Sequence, residues 1–198
     1  MMGIKAPIQE NPTGFISDYL KESARVKTSL SAQAGRIHEI AKVITDVYKN
    51  GGRLYACGNG GSACDAMHFV EELVARYLRE RPGLAAHHFA DPGILTCWCN
   101  DYDFSSVYER QVQAFMTEKD VLVVFTTSGN SENILKALAA AKQKGAKTIS
   151  LLGKGGGKAK GLATQELIID SNVTSQIQEA HIAVVHLLCE YIETSLFS

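Results

Sequence analysis

A doubly wound α/β domain, with a parallel five-stranded sheet preceded by N-terminal helices, is the fold class this sequence predicts, and three observations predict it. Short apolar runs at 53–57, 85–90, 121–127, 147–153 and 166–170 alternate with helical stretches, which is the pattern of strands covered on both faces. Two of those runs end in glycine-containing polar turns, GNGGS and TTSGNS, that open straight into helices, and binding sites in such sheets lie at the carboxyl ends of strands. The 198 residues, 45% of them hydrophobic, suffice to bury one core without disulfide or metal staples.

The elements follow in order. Ile16, Tyr19, Leu20, Ile37, Ile40, Val43, Ile44 and Val47 recur at spacings of three and four, so residues 15–50 read as two helices or as one broken near 31–35. Gly51 and Gly52 stop the second, and RLYAC at 53–57 is a short buried strand. The first glycine turn then feeds a helix carrying His68, Glu72 and Arg76 at four-residue intervals, near one face of a 3.6-residue helix. A second strand at 85–90 follows Arg81-Pro82-Gly83, and PGILTCWCNDYDF after it receives no element. VLVVFTT at 121–127 is the clearest strand, a continuous apolar run rich in β-branched and aromatic residues. A helix closed by Gly145, a fourth strand KTISLLG, a glycine loop, a last strand ELIID and a long closing helix at 176–196 complete the chain. The expectation is a single domain over 1–198.

Bulk properties exclude several function classes. A net charge of -1 gives no electrostatic reason for a nucleic-acid groove. The first residues, MMGIKAPIQENPTGF, lack the basic start and apolar core of a signal peptide, and no apolar run is long enough to span a bilayer, so a cytoplasmic protein without membrane partners is expected. Five irregularly spaced cysteines suit reduced thiols. Cys97 and Cys99 read as two ordinary buried thiols in preference to half of a soft-metal site.

The two turns invite different chemistry. Residues 58–63 can be fitted to G-x-G-x-x-A, but a dinucleotide site needs an acid about 20 positions on, and Asp91 comes roughly ten too late. No Gly-Lys-Ser/Thr follows either, so a nucleotide is disfavoured. The second turn surrounds a glycine with the hydroxyls of Thr126, Thr127, Ser128 and Ser131 at a helix start. Free backbone N–H groups and the helix dipole there favour an anion, and a phosphate monoester fits. The alternative is that Ser131 merely caps its helix, with Glu132 favoured in the first turn.

CGNGGSACDAMHFVEEL, CNDYDF, TTSGNSENILKAL, GKGGGKAKGLA and IQEAHIAVVHLL resemble, in order and spacing, the sugar isomerase (SIS) domain of the bacterial phosphoheptose isomerases, over nearly the whole chain. The resemblance implies a flavodoxin-like SIS fold and a cytosolic homotetramer. It also implies an aldose–ketose isomerase that interconverts sedoheptulose 7-phosphate and D-glycero-D-manno-heptose 7-phosphate, the first step toward heptose precursors of surface polysaccharides.

Carried over residue by residue, the resemblance makes Glu72 the base and His186 the acid. Substrate contacts fall on Asn59, Gly60, Gly61, Glu72, Asn100, Asp101, Thr126, Thr127, Ser128, Ser131 and Gln178. A zinc ion, one per subunit, would be held by His68, Glu72, Gln178 and His186, the ligand positions of zinc-binding members. A carboxylate and a histidine are the usual equipment for moving protons through an enediol.

Gln178 and His186 stand eight residues apart, roughly 12 Å along a helix, so both reach one ion only by stretching or by coming from different subunits. The expectation is a site completed at a subunit interface, with residues 1–50 and the final helix as the material of assembly.

Plainer readings remain beside these. Arg76 would pair with Glu72 one turn earlier, Asp65 would be an ordinary first-turn acid, and His181 points elsewhere around its helix. Ser175 and Gln176 stand where many of these isomerases carry an aspartate and an arginine. The competing functions are a non-catalytic SIS protein that binds the replication initiator, which lacks the full set of His68, Glu72, Gln178 and His186, and an isomerase of another sugar phosphate. A sugar-phosphate-sensing regulatory module is disfavoured because no DNA-binding segment is attached.

Overall fold

The structure is a computed structural model that describes residues 8–197. The first seven residues and Ser198, which the expected 1–198 unit and the leader reading include, lie outside the described residues. Helix α1 (Pro12–Ser29) begins with proline in its first turn and is capped by Asn11, whose Oδ1 accepts the Gly14 N–H at 2.9 Å. A 3₁₀ turn at Leu30–Gln33 separates it from α2 (Ala34–Lys49), so of the two sequence readings the two-helix one holds.

The sheet follows in β1 (Leu54–Gly58), β2 (Ala86–His88), β3 (Val121–Thr126), β4 (Lys147–Leu152) and β5 (Gln165–Ile168). Every pairing is parallel, and the spatial order is β2-β1-β3-β4-β5, the flavodoxin-like arrangement expected. The chain leaves β1 for the edge and returns on its other side to form β3. That reversal opens a crevice at the carboxyl ends of these two strands. Gly58 pairs in register with Phe125, so the two glycine turns stand side by side.

Helices α3 (Gly61–Val74), α6 (Glu132–Gln143) and α7 (Thr174–Phe197) follow β1, β3 and β5 respectively. Two elements stand where the sequence reading placed none, α4 (Pro92–Asp101) and α5 (Val107–Phe115). Helix α4 buries no residue completely, so its apolar residues trace no clean face. Its signal lies at its start, where Asp91 Oδ1 accepts the Ile94 N–H at 2.8 Å and Pro92 takes the first helical position, a capped beginning. Cys97, expected buried, is exposed on this helix. Strand β2 is also shorter than the expected 85–90, because it is an edge strand with one neighbour.

Alternate residues of the central strands face opposite cores. Leu54, Ala56, Val123, Phe125, Ile149 and Leu151 pack with α1, α2, α3 and α7 on one face. Tyr55, Cys57, Leu122 and Val124 pack with α5 and α6 on the other. Each large side chain removed from water in this way contributes about 1.5–3 kcal/mol, which fixes the strand ends that carry the crevice. No helix among the described residues is long and apolar enough to cross a membrane.

Candidate active site

The turn after β3 is shaped from within. Thr126 Oγ1 accepts the Gly129 N–H at 3.2 Å, and Ser128 Oγ accepts the Asn130 N–H at 3.2 Å. Gly129 has φ +65° and lies so close to the Gly156 carbonyl that a Cβ would collide with it, so a side chain is excluded on both grounds. Ser131 occupies the cap position of α6 with extended backbone, yet its side chain makes no capping hydrogen bond. The hydroxyl is therefore left for something else. The half-buried Thr127, Ser128 and Ser131 line a cavity of about 270 Å³ together with Asn59, Gly61 and Gln178. Hydroxyls around the amino end of a helix form an anion cradle.

The turn after β1 forms the other wall. Gly60 has φ +57° and ψ -127°, backbone that a side chain would strain severely. Asn59 and Asn133 exchange two side-chain hydrogen bonds of 2.9 Å, each amide donating to the other's oxygen. Asn133, buried on α6, was not singled out from the sequence, because an asparagine inside a helix gives no local signal of a partner 74 residues away. Gln178, from α7, rests over Gly61, where a Cβ would fall 2.5 Å from Nε2.

A second cluster lies further along α3. His68 Nε2 and Glu72 Oε1 are 3.1 Å apart, with side chains 39% and 16% exposed. His186 of α7 joins them, and one ligand atom from each of the three lies within 4.8 Å of the others. The ring of His186 meets His68 edge-on at 5.2 Å between centroids and lies offset-stacked with Tyr77 at 5.9 Å and 21°.

Two imidazoles and a carboxylate are a donor set that zinc accepts with one position left open, so these residues fit the expected metal. The fourth expected ligand is elsewhere in the protomer: Gly61, beside Gln178, precedes His68 by about 10 Å of helix at a rise of about 1.5 Å per residue. Gln178 lines the cavity between the two glycine turns, and His186 belongs to the cluster. His181, between them in sequence, is fully buried against Phe125, and burial lowers its pKa to about 4.

Helix α3 ends at Val74, before Arg76. Arg76 therefore does not pair with Glu72 as the sequence spacing suggested; it lies 4.0 Å from Glu80 and is exposed. Arg81 takes over the end of the helix, donating to the carbonyls of Glu72 at 2.8 Å and Leu73 at 2.7 Å, which satisfies last-turn acceptors. Its Nε donates to Glu193 at 2.9 Å, and the side chains of this pair are 1% and 0% exposed. Burial alone would raise the Glu193 pKa, but hydrogen bonds from the N–H groups of Tyr77, Leu78 and Arg79 and from Arg81 hold it below the ordinary carboxylate value.

Other expected residues lie apart. Asn100 and Asp101 sit exposed at the end of α4, joined by a 2.8 Å hydrogen bond, and neither lines the cavity between the two glycine turns of this protomer. Asp65, read as an ordinary first-turn acid, is 6% exposed with Oδ2 unpaired among the described residues. Burial raises its pKa to about 7, with His68 pulling the other way. Ser175 is exposed and accepts from Tyr19 at 2.9 Å. Gln176 turns inward, 1% exposed, and its Oε1 accepts from Ser171 at 3.1 Å.

Comparison with known proteins bears on this arrangement. The SIS domain family matches residues 18–153. A phosphoheptose isomerase of Vibrio cholerae is 48% identical over 186 residues, covering 92% of this chain and 97% of its own. The solved phosphoheptose isomerase of Francisella tularensis superposes with a TM-score of 0.87 at 36% identity, over 90% of this chain and 96% of that one. That of Neisseria gonorrhoeae gives 0.85 at 34% identity, over 95% and 100%.

Proposed function

This chain belongs to the SIS-domain family, among the phosphoheptose isomerases, and from that premise we propose how it isomerises sedoheptulose 7-phosphate to D-glycero-D-manno-heptose 7-phosphate. The observation that carries the reading is the meeting of His68, Glu72 and His186 from two helices far apart in sequence. The carboxylate of Glu72 removes a proton from C1 of the ketose while His186 donates one to the carbonyl oxygen on C2, giving an enediol. Glu72 then returns its proton to C2 as His186 recovers one from the hydroxyl on C1, which leaves the aldehyde. Positioned acids and bases of this kind supply about 10²–10⁴-fold in rate.

Thr126, Thr127, Ser128 and Ser131 receive the phosphate, and Asn59, Gly60, Gly61 and Gln178 line the approach to it. Zinc held by His68, Glu72 and His186, with Gln178 as fourth ligand, would polarise the sugar carbonyl. About 16 Å of helix separates Gly61 from Glu72 at about 1.5 Å per residue. That separation supports a working site in which the phosphate turn and Gln178 of one subunit face the cluster of another.

Further support comes from Ile16 and Leu20 of α1 and Leu187 of α7, which are 54%, 61% and 53% exposed. Leu187 also lines a groove of about 820 Å³ that runs between the N-terminal helices and α7 and reaches His186. The proposed assembly is a cytoplasmic homotetramer that places Asn100 and Asp101 at sites shared between subunits, with one zinc per subunit. Its place is the first step toward surface-polysaccharide heptose.

The test is direct. Purified protein is given sedoheptulose 7-phosphate, the products are resolved by NMR, and the assay is repeated after chelation and after zinc is restored. Aldoheptose phosphate is expected, lost on chelation and regained with zinc. No product from the folded, zinc-loaded oligomer refutes the substrate. Full turnover after chelation refutes the metal.

A further inference from the structure

The segment between α3 and β2 is bound more tightly than a connection requires. Three successive N–H groups, of Tyr77, Leu78 and Arg79, converge on the Glu193 carboxylate at 2.9, 3.0 and 3.0 Å. Such a concavity of backbone donors is an anion nest, here filled by the protein's own side chain. Glu193 follows His186 by seven residues on α7, two turns on and on the same face. Arg81 completes the arrangement by holding Glu193 with Nε and the carbonyls of Glu72 and Leu73 with its other nitrogens. One buried ion pair thus ties the turn of α3 that bears Glu72 to the face of α7 that bears His186. The residue this clasp holds most directly over the cluster is Tyr77, whose ring lies offset-stacked on His186 while His68 meets the other ring edge-on.

We propose that Tyr77 is a positioning residue for the isomerisation, fixing the ring plane of His186, and that the Glu193–Arg81 clasp is what fixes Tyr77. The inference rests on the assignment of His186 as the acid. An imidazole on one helix has freedom about two side-chain bonds, and stacking removes much of it. Misplacement of a catalytic group by about 1 Å is enough to cost about a hundredfold in rate. Within its own protomer Tyr77 touches neither the phosphate turn nor its cavity, so its influence is expected to fall on turnover in preference to substrate capture.

The experiment compares Tyr77→Ala, Tyr77→Phe, Glu193→Gln and His186→Ala in the full-length oligomer. The readouts are kcat, KM for sedoheptulose 7-phosphate, and zinc affinity by competition with a chromophoric chelator. Tyr77→Ala is expected to lower kcat and weaken zinc about tenfold, the usual range for a residue that orients a ligand, with KM unchanged. Tyr77→Phe, which keeps the ring, restores both. Glu193→Gln, near in shape, gives the same split between kcat and KM.

Wild-type kcat in Tyr77→Ala overturns the role of Tyr77, and so does a Tyr77→Phe variant as poor as the alanine. A Glu193→Gln variant with lowered melting temperature and wild-type kcat overturns the clasp. Loss of turnover in His186→Ala alongside wild-type Tyr77→Ala overturns the positioning claim alone. Wild-type turnover in His186→Ala overturns the assignment of His186 and this inference with it.

Discussion

The turn at residues 126–131 and the cluster of His68, Glu72 and His186 draw their order from different ranges of the chain. The turn is shaped by hydrogen bonds that span two or three residues, at the start of the helix that follows β3. The cluster needs α3 and α7 brought together, and the bonds that hold its flank, from Tyr77, Leu78 and Arg79 to Glu193, span 114 to 116 residues. The turn's own shape is therefore set locally, although its cavity also draws on Asn59, Gly61 and Gln178, while the cluster exists only once α3 and α7 are packed together. Damage to long-range order should accordingly strike turnover before it strikes phosphate binding.

The largest expected effect tests the reacting end alone. Glu72→Gln keeps the shape of the carboxylate without its basicity and should lower kcat about a thousandfold. Calorimetry should find sugar-phosphate affinity and oligomeric state unchanged; turnover within tenfold of wild type would remove Glu72 from the role of base. Next, Glu193→Ala leaves Arg81 buried without its partner, and breaking such a pair costs about 3–5 kcal/mol. Urea unfolding measures the loss. If the comparison holds, the folded variant still binds inorganic phosphate with near wild-type affinity.

At the binding end, Thr127→Ala combined with Ser128→Ala removes two hydroxyls from the cradle. KM should rise about tenfold or more, since each hydrogen bond to a charged group is worth about 1.5–3 kcal/mol, with melting temperature little changed. A lowered melting temperature with unchanged KM would turn the assignment around.

The smallest effect is a slope. The Asp65 pKa rises on folding from 3.8 to about 7 because burial disfavours the charged form. Stability linked to this group is full below the unfolded value and is lost as pH rises through about 7. Asp65→Asn should flatten that decline between about pH 4 and pH 7 in metal-free protein. An unchanged profile would mean that the carboxyl is not desolvated.

The same contrast explains what sequence alone reveals. VLVVFTT announces a buried strand, and the turn behind it gathers its hydroxyls at a helix start, from adjacent residues. The parallel sheet and its covering helices follow from alternation, and the flavodoxin-like arrangement from the resemblance, so the fold class was legible, while α4 was not, because Ile94, Leu95 and Trp98 are only partly buried. His68 and Glu72 share a face by spacing alone, but nothing local ties them to His186; only resemblance to known isomerases did. Tyr77, Glu193 and Asn133 stayed unread because their partners lie 74 to 116 residues away. Arg76 misled for the same reason: its four-residue spacing from Glu72 means a pair only if the helix continues, and a distant Glu193 with Arg81 decides that it does not.

The reciprocal amides of Asn59 and Asn133 carry a consequence for descent. Replacing Asn59 alone leaves the buried Asn133 amide N–H without its acceptor, a loss of about 1–3 kcal/mol, and replacing Asn133 alone strips the half-buried Asn59 of both partners. A lone aspartate would instead set oxygen against oxygen. The path from this pair to any other passes through a poorer intermediate, so the two codons are bound to each other as an inherited unit, though one belongs to the first crossover of the sheet and the other to the third helix after it.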